Sequence, residues 1–314
     1  VKTAVILLNM GGPDSLEAVE PFLRNLFSDP EILRFPLSGL IRKPLARLIA
    51  SRRAPGVVEK YRQIGGKSPL REITEAQAAA LARELGEGFS VHVAMRYWNP
   101  RAGDAARAVK AEGPDRILVL PLYPQYSRAT TGSSLSDLDR ALEAEGLGHL
   151  PRTVIRSWHD APPYLEALAE AVAEGLRDLP DATVLFSAHG LPVKLIEEGD
   201  PYLDQVKGTV GAVAARLPGV SWELAFQSRT GPIRWLEPAT PDAIRRLAAR
   251  GVRGLLVVPV SFVSDHIETL HELDIEYGEL AGRAGIREFR RSPSLNTRPS
   301  FIRALAELVR ARPK

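Results

Sequence analysis

PVSFVSDHIETLHELDIEY, residues 259–277, follows an apolar run at residues 255–260. The run has the length and composition of a buried strand, and it passes through a short polar turn into a helical pattern. Asp265, Glu268, Glu272 and Glu276 are spaced 3, 4 and 4 apart. At about 100° per residue they share a sector about 80° wide. Ile267, Leu270, Leu273 and Tyr277 fall on another face. One side of this helix can pack on a core while the other presents four carboxylates, neighbours lying about 5–6 Å apart. Like charges at that spacing repel, and a cation would relieve the repulsion. The same spacing also describes an ordinary solvated acidic face. Two features favour a site. The helix begins at the carboxyl end of a strand, where open α/β sheets place their ligands. His266 stands in the turn beside the first acid. Oxygen ligands with imidazole nearby suit a divalent ion such as Fe²⁺ or Mn²⁺.

The rest of the chain repeats the same plan. Strands are predicted at residues 3–8, 91–95, 116–120 and 153–155, and again at 183–186, 222–226 and 255–260. Helical patterns separate them, up to a closing helix at 302–312. The strand running into Met10-Gly11-Gly12-Pro13 matches the one running into His189-Gly190-Leu191-Pro192, 179 residues on. The strands ending at Met95 and Phe226 match at 131, and those reaching Pro121 and Pro259 at 138. Two similar βαβ lobes follow, each with a parallel sheet, the first carrying an insertion at about residues 30–70. The expected boundary puts residues 1–155 in the first lobe and 156–314 in the second, with the C-terminal helix free to pack back on the first. A cleft between such lobes would be lined by the loops at the carboxyl ends of the strands. It would receive His189, His266 and Glu268 from one side and Met10, Tyr123, Arg96 and Trp235 from the opposing loops. A lone histidine is usually structural, but His189, between a strand and a Gly-Leu-Pro turn, is a better candidate than His92, His149 or His159.

Composition bounds the function. The 314 residues are 45% hydrophobic and 25% charged, which describes an ordinary globular protein. A net charge of +3 gives no global argument for nucleic acid. With no cysteine, no disulfide, thiolate metal site or cysteine-held cluster can form within this sequence. No secretory signal or membrane-length apolar run is read, so a cytoplasmic protein is expected. Residues 34–53 stand apart, with Arg34, Arg42, Lys43, Arg47, Arg52 and Arg53, no acid, and Phe35, Leu37, Leu40, Ile41, Leu45, Leu48 and Ile49 among them. This fits either a segment lying on anionic lipid at the inner face of a membrane or a surface helix with a core face. Residues 61–69 read as a Gly- and Lys-rich loop in which Arg62 and Lys67 could meet an anion.

Six stretches carry a family resemblance: LLNMGGP at 7–13, YRQIGGKSP at 61–69, YPQYSRATTGSS at 123–134, SAHGLP at 187–192, FQSRTGPIRWLEP at 226–238 and SDHIETLHELDIEY at 264–277. Together they resemble the ferrochelatase family, class II chelatases that insert Fe²⁺ into a porphyrin. The resemblance runs from about residue 4 to 312. It implies the chelatase fold, two Rossmann-like lobes with the porphyrin cleft between them, and a lyase that completes haem synthesis. It implies His189 on one face of the macrocycle, binding metal or taking pyrrole protons, and Glu268 on the opposing side. Glu272 and Glu276 would continue an acidic track for metal, with Asp265 and His266 supporting it. Met10, Tyr123, Trp235 and Phe262 would line the porphyrin, and Arg62, Arg96 and Arg128 would pair with its propionates. The resemblance further implies a π-type turn in the acidic helix and places residues 34–53 at the lip of the cleft.

Departures from the family sharpen these expectations. Some relatives carry a cysteine-bearing C-terminal extension with an iron–sulfur cluster. Without cysteine, neither the cluster nor the associated dimer carries over, so a monomer with no tightly bound cofactor and Fe²⁺ as substrate is expected. Met10 stands where the branch acting on coproporphyrin has tyrosine, so protoporphyrin IX is the expected ring and coproporphyrin the alternative. Gln63 stands where close relatives often have arginine. A cobalt chelatase of a sirohydrochlorin-type ring would want a more basic pocket, and a two-lobed solute binder would not want the turn histidine and its acids.

Overall fold

The computed structural model describes residues 1–32, 39–179 and 181–312. They divide into two compact units. One holds residues 1–122, 127–156 and the C-terminal residues from Val309, and the other holds 123–126 and 157–308.

The first unit is built on β1 (Thr3–Asn9), β2 (Phe89–Met95), β3 (Arg116–Pro121) and β4 (Arg152–Val154), all parallel, in the order β2-β1-β3-β4. Every residue of β1 is buried, which is why TAVILLN reads as an uninterrupted apolar run rather than an alternation. Helices α1 (Val19–Phe27), α2 (Gly39–Gln63), α3 (Leu70–Leu85) and α4 (Ala102–Glu112) belong to this unit. A one-turn π-helix (Arg128–Gly132) running into α5 (Ser133–Ala144) completes it. Ile6, Leu8, Val109, Val119 and Leu138 share one core between β1, β3, α4 and α5.

The second unit repeats the arrangement. Strands β5 (Thr183–His189), β6 (Trp222–Gln227), β7 (Gly254–Pro259) and β8 (Glu288–Arg291) are parallel in the order β6-β5-β7-β8. Matching β5 to β1 and so on gives the identical strand order, as the sequence repeat required. Its helices are α6 (Pro162–Gly175), α7 (Val193–Glu197), α8 (Tyr202–Ala214), α9 (Thr240–Ala249), α10 (Gly278–Ala284) and α11 (Pro299–Arg310). Between β7 and α10 lies a second π-helix, Glu268–Tyr277. Leu185, Ile244, Leu255, Val257 and Leu273 form its core, so the apolar face of the acidic helix is packed as its sequence demands.

Two elements differ from expectation. Strand β8 reads Glu-Phe-Arg-Arg and carries no apolar run, so nothing in its composition announces it. Helix α2 is one element of 25 residues that continues through Pro44 and Pro55, each of which forfeits a main-chain hydrogen bond. It buries the small residues Ala46, Ala50 and Ala54 and leaves Ile41 and Leu48 about half exposed, at 49% and 47%. Lys43, Arg47, Arg52 and Arg53 are exposed beside them. Of the basic apolar stretch, Arg34, Phe35 and Leu37 lie outside the described residues. Among the described residues, no helix is long and apolar enough to cross a membrane.

Candidate active site

In an open parallel sheet the order 2-1-3 leaves a crevice beyond the carboxyl ends of strands 1 and 3. In the second unit those are β5 and β7, and β5 ends at His189. The strand delivers this histidine to a tightly held turn. The His189 N–H donates to Ser261 Oγ at 3.2 Å, and the Tyr202 hydroxyl donates to the His189 carbonyl at 2.8 Å. Next comes Gly190, whose N–H donates to the Gln227 carbonyl at 2.8 Å. A Cβ at residue 190 would stand 2.7 Å from that carbonyl oxygen, so close backbone approach demands the glycine.

Glu268 opens the π-helix that follows β7, and its Oε2 lies 2.8 Å from His189 Nδ1. The expectation of two groups on opposing faces of a macrocycle is therefore corrected: they are hydrogen-bonded, and no ring fits between them. The cause is topological, since β5 and β7 are neighbouring strands and both groups follow their carboxyl ends.

Glu272 comes next, one α-like step along. Its Oε1 accepts from the Ser228 N–H at 2.9 Å and the Tyr277 hydroxyl at 2.7 Å. Its Oε2 accepts from Ser228 Oγ at 2.5 Å and Gln227 Nε2 at 3.2 Å. The same Ser228 Oγ lies 3.0 Å from Glu268 Oε2. Glu272 and Tyr277 are five apart, the repeat of a π-turn.

The even row of four acids is not what the π-helix makes. Asp265 precedes the helix and faces away. It accepts from Thr269, Ser294 and Asn296, and lies 3.1 Å from Arg291. Glu276 turns to His271, 3.6 Å away. Only Glu268 and Glu272 converge, both on Ser228. Among the described residues, no group of three or more His, Cys, Asp or Glu side chains is arranged to hold a metal ion. The set His189, Glu268, Glu272 and Glu276 is thus not a preformed metal cage.

Electrostatics follow from these contacts. Burial disfavours the His189 imidazolium, but the Glu268 carboxylate, with Glu272 behind it, outweighs burial and raises its pKa. Burial also opposes the charge of Glu268, yet His189, His266 and Ser228 hold it well below the usual carboxylate range. Burial and the Glu268 charge push Glu272 up. Burial pushes His266 down. Its Nδ1 lies 3.1 Å from the Ser264 carbonyl, and its ring lies 4.4 Å from that of Phe262. Phe262 in turn meets His189 edge-on at 6.0 Å. Asp265 is held low despite burial, chiefly by Arg291 and Asn296, so it is a structural anchor for the start of the helix.

The remaining expected residues are placed as follows. Trp235 is half-buried, its indole N–H donating to the Thr230 carbonyl at 3.1 Å. Tyr123 is half-buried in the short piece that belongs to the second unit. Met10, Arg62, Arg96 and Arg128 belong to the first unit. Met10 and Arg128 are half-buried, at the end of β1 and the start of the first π-helix. Arg62 is exposed and ion-paired with Glu59. Arg96 does not stand ready for a propionate. Its Nη2 donates to buried Asp29 at 2.8 Å and its Nε to Ser133 Oγ at 2.7 Å. Ser228, Gln227, Tyr202 and Ser261 were not foreseen. Their available signal was position, since Gln227 and Ser228 close β6 inside the FQSR stretch.

Comparison with known proteins gives the same family. A family model described as Ferrochelatase matches residues 2–312. A ferrochelatase from Geobacter metallireducens is 56% identical over 312 residues, which is 98% of this chain and 98% of that one. A ferrochelatase from a Nostoc species is 50% identical, over 98% of this chain and 81% of its own. Among solved structures, SirB from Bacillus subtilis with Fe³⁺ aligns with a TM-score of 0.59 at 13% identity, over 99% of this chain and 95% of that one, a likeness of fold alone. With a family model spanning the described chain and full-length relatives more than half identical to it, the chain belongs to the ferrochelatase family.

Proposed function

We propose that this chain is a porphyrin chelatase that inserts Fe²⁺ into protoporphyrin IX, giving protohaem and releasing two protons. One observation carries the chemistry: His189 Nδ1 and Glu268 Oε2 are 2.8 Å apart. A carboxylate on Nδ1 fixes the ring's tautomer and orientation and stabilises its protonated form. That leaves Nε2, on the other edge of the imidazole, to take a pyrrole proton. His189 is then the base and Glu268 its partner, with Glu272 next along the helix. The two pyrrole N–H protons leave as one Fe²⁺ enters, so the ring nitrogens exchange two H⁺ for one dication and charge balances. A free macrocycle is flat and its lone pairs do not face an incoming ion. A site complementary to the bent ring would bind the strained form best. Arg62 and Arg128 remain the candidates for the propionates, and Met10, Tyr123, Trp235 and Phe262 for the ring.

This reading asks for no resident cofactor and no nucleic acid, and it takes the chain as a monomer. It includes peripheral contact with an anionic membrane through α2. The exposed Ile41 and Leu48 among Lys43, Arg47, Arg52 and Arg53 support that contact. Sedimentation with anionic vesicles, lost in Ile41→Ser/Leu48→Ser, tests it.

The function is tested by following porphyrin absorbance anaerobically with Fe²⁺, or with Zn²⁺ as an oxygen-stable substitute. Protoporphyrin IX and coproporphyrin III are run in parallel. Turnover on protoporphyrin is expected, with His189→Ala and Glu268→Gln each abolishing insertion while porphyrin still binds. Tight binding without turnover on either ring would refute the reading. So would normal turnover in either variant.

A further inference from the structure

Ser228 holds a left-handed backbone conformation beside the candidate active site. It lies at the carboxyl end of β6, immediately after Gln227, which pairs in register with His189 on β5. Its φ is +64°, in the left-handed region that favours glycine. Among the described residues, the other non-glycines at positive φ are Asp178, Asp181 and Asn296, whose side chains tolerate that region better than serine does. A glycine would hold this turn with less strain, so the turn alone does not account for a serine.

Its polar atoms account for it. The main-chain N–H donates to Glu272 Oε1 at 2.9 Å. The hydroxyl lies 2.5 Å from Glu272 Oε2 and 3.0 Å from Glu268 Oε2. One oxygen atom is thus the common contact of both carboxylates, and the atom of Glu268 that it meets is the atom that meets His189 Nδ1. The left-handed backbone is what turns N–H and hydroxyl to the same side.

We propose that Ser228 is a positioning residue for metal insertion: its N–H holds Glu272, and its one hydroxyl proton, which either acid but not both can take at a time, can go to Glu268 to hold that carboxylate against His189 and so set the direction in which the His189 ring presents Nε2. This rests on the assignment of His189 and Glu268 made above. In this role Ser228 acts through the two acids. Outer partners of this kind commonly govern about 10- to 100-fold in activity.

The test uses the full chain, Zn²⁺ and protoporphyrin IX, with Ser228→Ala and Ser228→Gly. Glycine keeps the N–H and relaxes the backbone, so it isolates the hydroxyl. Both variants are expected to lose about 10- to 100-fold in kcat with the porphyrin KM unchanged. In a Glu272→Gln background, Ser228→Ala is expected to cost less than in the wild type, because its partner is already altered. Wild-type turnover in Ser228→Gly would overturn the proposal, as would full additivity with Glu272→Gln. A rise in porphyrin KM that tracks a fall in Tm would also overturn it, as the mark of a merely structural serine. A wild-type chain that inserts no metal would instead remove the proposed function, and this role with it.

Discussion

Asp29 is the most informative residue to remove in the first unit. Its side chain is 1% exposed and its Oδ2 sits 2.8 Å from Arg96 Nη2. The same oxygen accepts from the Tyr97 hydroxyl at 2.7 Å and from Ser133 Oγ, while Oδ1 accepts from the Glu31 N–H at 2.8 Å. Arg96 is itself only 12% exposed, and its guanidinium lies over the Tyr97 ring at 4.9 Å. Asp29→Ala therefore leaves two hydroxyls without their shared acceptor and Arg96 with only Asp137, 3.7 Å from its Nη1, as a carboxylate partner. Removing one partner of such a pair costs about 3–5 kcal/mol. For a unit of this size 1 kcal/mol moves Tm by about 2–4 °C, so a fall of about 6–20 °C is expected. Thermal melts followed by near-ultraviolet circular dichroism would measure it, with porphyrin KM taken below the transition. Replacing both members, as Asp29→Leu with Arg96→Met, should recover part of the loss, because the cation goes with its carboxylate and Asp137 keeps its pair with Arg140. A loss under about 1 kcal/mol, together with a raised porphyrin KM in Asp29→Ala, would refute the structural account and return Arg96 to the substrate.

Three further outcomes follow from single contacts. The folded pKa of Asp29 is lowered against the opposing effect of burial, by Ser133, Tyr97, the Glu31 N–H and Arg96; that stability is present above the unfolded value of about 3.9 and is lost as pH falls through the folded one, so the wild-type Tm should drop below about pH 4, and Asp29→Ala should show a shallower drop. Gly190→Ala puts a Cβ 2.7 Å from a main-chain oxygen; it should cost about 1–3 kcal/mol in a thermal melt and lower insertion activity, since His189 is the adjoining residue. Tyr277→Phe removes a 2.7 Å hydrogen bond to the Glu272 carboxylate; a loss of about 1.5–3 kcal/mol is expected by urea denaturation.

The fold was legible wherever burial leaves an apolar run. Strands β1, β3, β5 and β7 are buried on both faces, and their runs mark them. Strand β8 escaped because Arg291 serves Asp274, at 2.7 Å, and Asp265 rather than a core. The surface helix offered for residues 34–53 is, from Gly39, part of α2, but its unbroken run through Pro44 and Pro55 to Gln63 was not legible, because prolines normally end helices. His189, Glu268 and Glu272 were legible as types in the right turns. Their mutual contact was not, because it depends on β5 and β7 being neighbouring strands. Arg96 was misjudged for a related reason. Its partner Asp29 lies 67 residues away in an irregular stretch, with no periodicity to mark it as buried.

The two units share a strand order, and their registers allow a position-by-position comparison. Leu8 pairs with Pro121 in one sheet as Ser187 pairs with Pro259 in the other, and Met95 bridges to Arg101 as Phe226 does to Ala239. Met10 thus stands at the place of His189, and Tyr97 at that of Ser228. In the first unit these positions carry no base: Met10 is a half-buried thioether, and the buried Tyr97 donates its hydroxyl to Asp29 at 2.7 Å. In the second unit the same positions carry an imidazole whose Nδ1 is 2.8 Å from Glu268 and a serine within reach of two acids. A doubly wound sheet offers a crevice at its switch point in every copy. Whether that crevice does chemistry depends on whether its polar groups satisfy one another or leave a proton acceptor facing out. Here an imidazole stands at that position in the second unit and a thioether in the first, which supports the proposed assignment of proton transfer to His189.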